Sequence, residues 1–209
     1  MIHPSSFSRR QWISSGVAAC GYLAANGLAA GQSGSSSAPK GYTRPGPVME
    51  RGRAPGLQIR LIFENPGGER TYALVFAKGD EVLSGLTEFA GREKLTAGYF
   101  TAIGALQRAR FGRFDRAQEA CRNIQIMEQA ELISLIGNVA LINGSPRIHA
   151  HGSVGFRDGH MRGGDLLEAT AWPTLELLFS ACPTTLVKEH DDETDLFLFD
   201  LKARKDGSI

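Results

Sequence analysis

An Asn-Gly dipeptide between two strand-forming segments constrains the fold more than any other feature of this sequence. Residues 130–142 form a long apolar run that ends at Asn143-Gly144, and residues 147–156 form a second run after it. Asn-Gly is the strongest short hairpin signal, because both residues tolerate the positive φ that a tight two-residue turn needs. The sequence therefore predicts an antiparallel strand pair. The 25 glycines among the 209 residues also favour a sheet-rich domain over a helical bundle.

Other segments extend this prediction to a larger sheet. Residues 57–63 alternate apolar and polar side chains, broken only by Ile62, which is typical of a strand with one buried face. The turn-forming residues 65–68 (NPGG) follow, and the apolar spacing within residues 78–93 predicts an amphipathic helix. Further strands are predicted at residues 71–76, 97–105, 108–114, 170–179 and 196–201, with 97–105 and 108–114 forming a pair. Together these elements predict a predominantly antiparallel or mixed sheet.

The composition limits the classes of function. The chain is 42% hydrophobic, which is enough to build a core at a length typical of one compact domain. Its formal net charge of +1 and its lack of a basic block disfavour a strongly basic nucleic-acid binder. Three cysteines without a CxxC pair argue against a disulfide scaffold. Cys121 and Cys182 could pair in an oxidising compartment or remain buried free thiols.

The first thirty residues have the features of an export signal. Arg9 and Arg10 precede an uncharged, moderately apolar stretch that contains small residues at its end, and a Ser-Arg-Arg-x-aromatic pattern is typical of a twin-arginine signal. We expect cleavage near Ala29 or Ala30 and a periplasmic or otherwise exported protein. Removing two arginines leaves 23 − 2 = 21 basic against 22 acidic residues, so the mature chain would carry a net charge of −1.

Two alternatives remain open for this segment. It could be a single membrane anchor, although its second half is more polar than a membrane span requires, and no transmembrane domain is expected in the mature chain. Val17-Ala18-Ala19-Cys20 also resembles a lipoprotein processing box, in which Cys20 would become the lipidated N-terminus.

Residues 31–55 are rich in Gly, Ser and Pro and predict a flexible linker. Within them, Arg51-Gly52-Arg53-Ala54-Pro55 is similar to the Arg-Gly-Arg-Pro core of an AT-hook, which enters the DNA minor groove. Here Ala54 displaces the proline by one position, so a solvated linker is the competing interpretation. The predicted organisation is a signal peptide at 1–30, this linker, a folded domain at 56–202 and a tail at 203–209.

Two histidines on a predicted strand carry the clearest chemistry. His149 and His151 stand at i and i+2, so they share one face of the strand, with their backbones roughly 6.5–7 Å apart. Asp165 follows two glycines beyond the next turn and could complete a three-ligand site. Two neutral histidines and a carboxylate suit Zn²⁺, with Fe²⁺ or Mn²⁺ as alternatives. A pair of histidines that only packs or hydrogen-bonds on a sheet face is the competing interpretation.

Three segments in a fixed order resemble one known family. Residues 132–139 (LISLIGNV), the His-x-His at 149–151 and residues 163–168 (GGDLLE) are similar to the PPC (plants and prokaryotes conserved) domain. Glu131 and the stretch 97–105 (AGYFTAIGA) also match its pattern. The resemblance covers about residues 57–201.

The resemblance implies an α/β domain of the α+β type, with a mixed, mostly antiparallel sheet and flanking helices, assembled as a homotrimer. Prokaryotic members commonly carry His-x-His followed by Gly-Gly-His, a constellation associated with a divalent metal. This chain has Asp165 where the third histidine would fall, which alters the charge of the site. Glu168 is either a carboxylate that accepts a hydrogen bond from a ligating histidine and so orients its ring, or an ordinary exposed carboxylate.

Two functions follow as hypotheses. The first is an exported homotrimer whose metal site binds or transforms a small molecule, by polarising a carbonyl or activating a water molecule. The second is a DNA-binding or regulatory module like the plant AT-hook relatives, although binding to nucleic acid is not expected after export. No residue identifies a substrate or assigns a catalytic role.

Overall fold

The computed structural model describes residues 40–43, 52–118 and 120–202. The predicted export signal with Arg9 and Arg10, the Cys20 lipidation site, Arg51, and the tail beyond residue 202 lie outside the described residues. None of the described residues belongs to a helix with the length and apolar character needed to cross a bilayer.

The described chain is built mainly from strands. In chain order, its elements are β1 Tyr42–Thr43, β2 Gln58–Glu64, β3 Arg70–Ala77, α1 Val82–Arg92, β4 Ala97–Asp115, β5 Ala120–Ile126, β6 Ala130–Ile142, β7 Ser145–Gly155, β8 Met161–Ala181, β9 Val187–Asp191 and β10 Leu196–Asp200. Within the described ranges, all strand pairs are antiparallel except a single parallel contact between β6 and β9. The mixed, mostly antiparallel sheet is therefore confirmed. The expected α/β domain with flanking helices is corrected, because the domain is mostly β and the described residues contain one helix, α1.

The Asn-Gly hairpin forms as predicted. Ile142 is the register partner of Ser145, so Asn143 and Gly144 are the two turn residues between β6 and β7. Both have positive φ, 51° for Asn143 and 74° for Gly144, which is the backbone conformation that such turns require. The hairpin between β2 and β3, across residues 65–68, is also present.

Two long strands replace shorter predicted ones. Residues 97–105 and 108–114 do not pair with each other, because no turn-forming residue separates them and both belong to the 19-residue strand β4. The predicted strand at 170–179 is the second half of the 21-residue β8. The sheet order is β1-β5-β4-β6-β7-β8-β3-β2, and additional pairing between β4 and β8 closes β4, β6, β7 and β8 into a ring.

The helix α1 covers one face of the sheet. Its apolar residues Val82, Leu83, Leu86, Phe89 and Ala90 are all buried, as their helical spacing predicts. Phe89 makes edge-to-face contacts with Tyr72 and Phe179, with ring centroids 5.1 and 5.4 Å apart. The core of the domain therefore lies between the helix and the sheet.

A buried carboxylate begins the helix. Glu81 accepts hydrogen bonds from the backbone N–H groups of Leu83 at 3.3 Å and Ser84 at 2.6 Å, which satisfies two of the free donors of the first turn. It also accepts one from Ala169 N at 3.1 Å, on β8. The side chain is therefore both the cap of α1 and its connection to the sheet.

The face of the sheet turned away from the core carries exposed apolar side chains. Tyr99 and Ile103 on β4, Ile136 on β6 and Leu178 on β8 are each more than half exposed. Register pairs Thr101 with both Ile136 and Leu178, so these residues lie on neighbouring strands of one surface. We call the surface formed by Tyr99, Ile103, Ile136 and Leu178 the outer apolar face.

Candidate metal centre

Strands β7 and β8 bring the predicted site residues together. His149 and His151 lie on the same face of β7 because alternate residues of a strand point the same way. His151 is the register partner of Asp165 on β8, which places the carboxylate directly beside it. The buried Ala150, between the histidines, points to the core instead. The local pattern therefore collects three donor groups on one surface.

The three side chains are close enough to share an ion. One donor atom from each of His149, His151 and Asp165 lies within 4.8 Å of the others. His149 Nε2 is 3.6 Å from Asp165 Oδ1, which is longer than a hydrogen bond. The two imidazole rings have centroids 5.1 Å apart and are inclined by 67°, so neither ring blocks the other. Nitrogen and oxygen donors at these separations can converge on one cation.

Two pKa shifts describe the electrostatics of this cluster. Burial, followed by the charges of Lys188 and His151, lowers the pKa of His149 from 6.5 to about 4. Burial raises the pKa of Asp165 from 3.8 to about 6, against the opposing effect of the charges of His151 and Lys188. At pH 7 His149 is therefore neutral and Asp165 ionised, which are the protonation states that metal ligation requires.

An unsatisfied oxygen indicates that the cluster fits a cation. Asp165 Oδ1 is buried and has no hydrogen-bond partner among the described residues. Asn138 Oδ1 is likewise buried and without a hydrogen-bond partner among the described residues. Asn138 is the register partner of His149. A buried carboxylate oxygen without a partner is costly to maintain, and a bound cation would remove that cost. The chemistry of the donors and this free oxygen both fit a divalent metal.

Lys188 borders the site and was not foreseen from the sequence. Its Nζ lies 3.4 Å from His149 Nδ1 and 4.9 Å from the centroid of the Phe199 ring, and the residue is only 6% exposed. Burial lowers the pKa of this amino group. Lys188 lies on β9, which reaches the sheet through the parallel contact of Leu141 with Val187. No local pattern in the sequence predicts that contact.

Glu168 is not placed beside either histidine. Its Oε2 lies 3.6 Å from Arg110 Nε, and within the described segments no hydrogen bond joins it to His149 or His151. Arg110 of β4 is the register partner of Glu168 on β8, and the pairing of the two strands shifts register between Arg110 and Phe111. The structure therefore shows Glu168 as the partner of an arginine.

The glycines before Asp165 allow three strands to approach closely. A Cβ on Gly163 would lie 2.1 Å from Gly152 O of β7, and a Cβ on Gly164 would lie 2.3 Å from Gly112 O of β4. Real Cβ atoms do not approach backbone so closely, so only glycine fits at either position. The close approach of backbone expected from the Gly-Gly pair is therefore present on both sides of β8.

The other polar candidates lie outside this cluster. His160 contacts Asp158 in the turn after β7, and His190 contacts Asp192 and Asp195 on the β9–β10 hairpin. Cys121 and Cys182 are free and half-buried, and burial raises the pKa of both thiols.

Comparisons with known proteins agree with the fold. Residues 63–183 match the family model of the Plants and Prokaryotes Conserved (PCC) domain. A plant- and prokaryote-conserved protein from Pyrococcus horikoshii is 30% identical, with a TM-score of 0.59, over 63% of this chain and 91% of that one. The metal-containing protein AF0104 from Archaeoglobus fulgidus is 27% identical, with a TM-score of 0.60, over 68% and 99%.

A third solved structure bears a name that points to a different function. It comes from Ralstonia eutropha JMP134, is called a "Putative DNA-binding protein", and is 28% identical over 66% of this chain and 94% of that one, with a TM-score of 0.59. No curated protein matches the sequence.

Proposed function

Because the chain belongs to the Plants and Prokaryotes Conserved family, we propose that its domain holds a divalent metal ion between His149, His151 and Asp165, and that this site binds or transforms a small molecule. The convergence of three donor atoms within 4.8 Å carries the proposal. The unsatisfied Asp165 Oδ1 and the name of the Archaeoglobus relative, a metal-containing protein, support it. Two imidazoles and one carboxylate favour Zn²⁺.

The residues in and around the triad would have different roles in such a site. A divalent ion held by His149, His151 and Asp165 would supply positive charge that can polarise a carbonyl oxygen or activate a water molecule. The His149 side chain is 46% exposed, so solvent and a small ligand can reach the cluster. Lys188 lies beside His149 with an amino group that can donate a hydrogen bond to an anionic ligand or hold a proton. A small anion is therefore the class of ligand that we propose.

Metal analysis tests this proposal directly. The full chain, purified without chelator and dialysed against metal-free buffer, should contain close to one equivalent of divalent metal by elemental analysis. His149→Ala should lose most of it, whereas His160→Ala, which removes an exposed histidine outside the triad, should not. Negligible metal in the wild type after incubation with Zn²⁺, or equal contents in both variants, would contradict the proposal.

We also propose that the domain assembles as a homotrimer through the outer apolar face. Four large, exposed apolar side chains on adjacent strands are more than scattered surface residues, and such patches mark interaction sites. Ile136 is the register partner of His151, so the face adjoins the metal triad. Light scattering should give three times the chain mass. Ile136→Lys should reduce the measured mass to that of one chain. Met127→Lys, on an exposed loop, should leave the measured mass unchanged. A monomeric wild type would contradict the proposal.

Export is a separate proposal that rests on Arg9 and Arg10. A cell with twin-arginine machinery should place the protein in its periplasmic fraction, and replacing both arginines by lysine should keep it in the cytoplasm. Periplasmic accumulation of the double variant would contradict this proposal.

DNA binding is the second candidate function, and the name of the Ralstonia relative is the observation that favours it. If it is correct, the full chain should bind duplex DNA with an affinity that falls steeply with salt, and Arg51→Ala with Arg53→Ala should abolish that binding. Binding that is unchanged in the double variant would show that these arginines are not the contact.

A further inference from the structure

Three arginines from three strands surround a pocket on the other side of the sheet. The pocket has a volume of about 460 Å³ and is lined by Arg113 of β4, Arg122 of β5 and Arg162 of β8, together with Asn123, Ile124, Gln125 and Gly163. We call it the arginine pocket. Its volume is within the range of sites for small organic ligands, which is about 300–1,000 Å³.

The pocket is distinct from the metal triad. Gly112 is the register partner of Asp165, and Arg113, the next residue, therefore lies on the opposite face of β4. Arg162 is the register partner of Val154, which is fully buried in the core. The three arginines thus border the end of the core, on the face turned away from His149.

The arrangement of charge in this pocket is unfavourable without a ligand. Arg113 and Arg122 are direct register partners, and like charges directly opposite each other on a sheet destabilise it. Among the described residues neither of them, nor Arg162, forms an ion pair or a hydrogen bond with a carboxylate. Arg110, by contrast, contacts Glu168, so carboxylates do compensate another arginine of β4. Three guanidinium groups that have no carboxylate partner in the described part of the chain thus lie around one concavity, which makes the site positive.

The chemistry of the lining indicates what would bind. Guanidinium groups offer paired N–H donors that match phosphate and carboxylate oxygens, and phosphate accepts from several arginines at once. Ile124 packs against the core and supplies an apolar surface at the pocket, while Arg162 lies 5.5 Å from the centroid of the Phe156 ring. The site therefore combines a cationic rim with an apolar wall.

We propose that the arginine pocket binds a small organic phosphate, with the phosphate group on Arg113, Arg122 and Arg162 and the apolar part against Ile124. This proposal does not depend on the metal site. It adds a second ligand position on the opposite face of the same strands.

Calorimetric titration of the full chain with phenyl phosphate tests the proposal. EDTA is present throughout so that a metal ion cannot supply the binding. The wild type should bind phenyl phosphate more tightly than inorganic phosphate, since only the former contacts the apolar wall. Arg113→Gln and Arg162→Gln should each weaken binding about tenfold or more, because each removes charge-assisted hydrogen bonds. Arg60→Gln, an exposed arginine on β2, is the matched control and should bind as the wild type does.

Thermal unfolding separates loss of the site from loss of the fold. Arg113→Gln removes one of two facing positive charges, so its melting temperature without ligand should equal or exceed that of the wild type. Phenyl phosphate should raise the melting temperature of the wild type and of Arg60→Gln but not of Arg113→Gln.

Four results would overturn the proposal. The first is that phenyl phosphate does not bind at millimolar concentration, and the second is that Arg60→Gln weakens its binding as much as Arg113→Gln and Arg162→Gln do. The third is that benzoate binds as tightly as phenyl phosphate. The fourth is that duplex DNA binds through these arginines while phenyl phosphate does not bind. The last result would make the pocket part of a nucleic-acid surface.

Discussion

Replacing Asp165 by asparagine should stabilise the metal-free protein at neutral pH. The substitution keeps the size of the side chain and removes a buried negative charge whose Oδ1 has no partner among the described residues. Burial raises the pKa of this carboxyl from 3.8 to about 6. In the unfolded chain it loses its proton near pH 3.8, whereas in the folded chain it keeps the proton to about pH 6. The folded state therefore binds more protons across that window, and the free energy of unfolding falls as pH rises through it.

The size of the effect follows from the same two values. A difference of about 2.2 pH units, at about 1.4 kcal/mol for each unit, corresponds to about 3 kcal/mol. The Asp165 side chain is 27% exposed, so most of this penalty should persist after solvent screening. Above pH 6 the full penalty is present, and below pH 4 it vanishes. For a domain of this size, about 3 kcal/mol corresponds to roughly 6–12 °C in melting temperature.

Urea denaturation in EDTA at pH 4 and pH 8 measures this difference. Asp165→Asn should be more stable than the wild type by about 2–3 kcal/mol at pH 8 and nearly equal to it at pH 4. Comparing the two proteins at each pH cancels the titration of His149, which both retain. Glu189→Gln, which removes an exposed carboxylate on β9, should change little at either pH.

Zinc should reverse the order of stability. At a free concentration of 1,000 times its dissociation constant, a ligand stabilises the folded state by about 4.1 kcal/mol, which exceeds the difference of about 2–3 kcal/mol between the two proteins in EDTA, and the variant lacks one of the three donors. The reasoning would be refuted if Asp165→Asn were no more stable than the wild type in EDTA at pH 8, or if the difference were the same at both pH values. Equal stabilisation of both proteins by zinc would refute the role of Asp165 as a ligand.

Three further predictions address the pH dependence of the site and the packing around it. Zinc affinity, measured by competition with a chromophoric chelator, should fall as pH decreases below about 6, because Asp165 must lose its proton to bind, and Asp165→Asn should lack this part of the dependence. Glu81→Ala should lower the free energy of unfolding, measured in urea, by about 2–4 kcal/mol. The substitution removes the cap of α1 and leaves the buried Ala169 N–H without its partner. A loss below about 1 kcal/mol would contradict this prediction. Gly137→Ala should cost about 1–3 kcal/mol, because its Cβ would lie 2.3 Å from Phe100 Cζ, whereas Gly91→Ala, in open space on α1, should be neutral or stabilising; equal effects would contradict the steric argument.

Local features of the sequence predicted the parts of the fold that local chemistry determines. The Asn143-Gly144 turn depends only on which residues tolerate positive φ, and α1 depends on apolar spacing along 11 residues. The proximity of His149 and His151 follows from the period of a strand. Asp165 could be expected near them because a short turn and two glycines precede it, and the resemblance to a family supported that expectation.

Long-range pairing determined what the sequence could not predict. The apolar patterns before and after residues 106 and 107 resemble two short strands, but both segments pair with the same partner, β8, across register shifts at Gly104/Leu106 and Leu106/Arg108, and they form one strand. The strand β5 escaped prediction, and its pairing with β4 is what sets Arg122 opposite Arg113. Lys188 reaches His149 through one parallel contact between β9 and β6, which are about 45 residues apart in sequence. Contacts of this kind leave no periodic signal in the segments that make them.

The four residues Arg162, Gly163, Gly164 and Asp165 connect the two proposed sites. Arg162 and Asp165 are three residues apart on one strand, so they point to opposite faces, one into the arginine pocket and the other into the metal triad. The glycines between them admit no Cβ, because the backbones of β7 and β4 lie against them on either side. A side chain at either glycine would therefore displace β8 and disturb both sites together. Within this segment, substitutions at the outer residues, Arg162→Gln and Asp165→Asn, should therefore separate phosphate binding on one face from metal binding on the other.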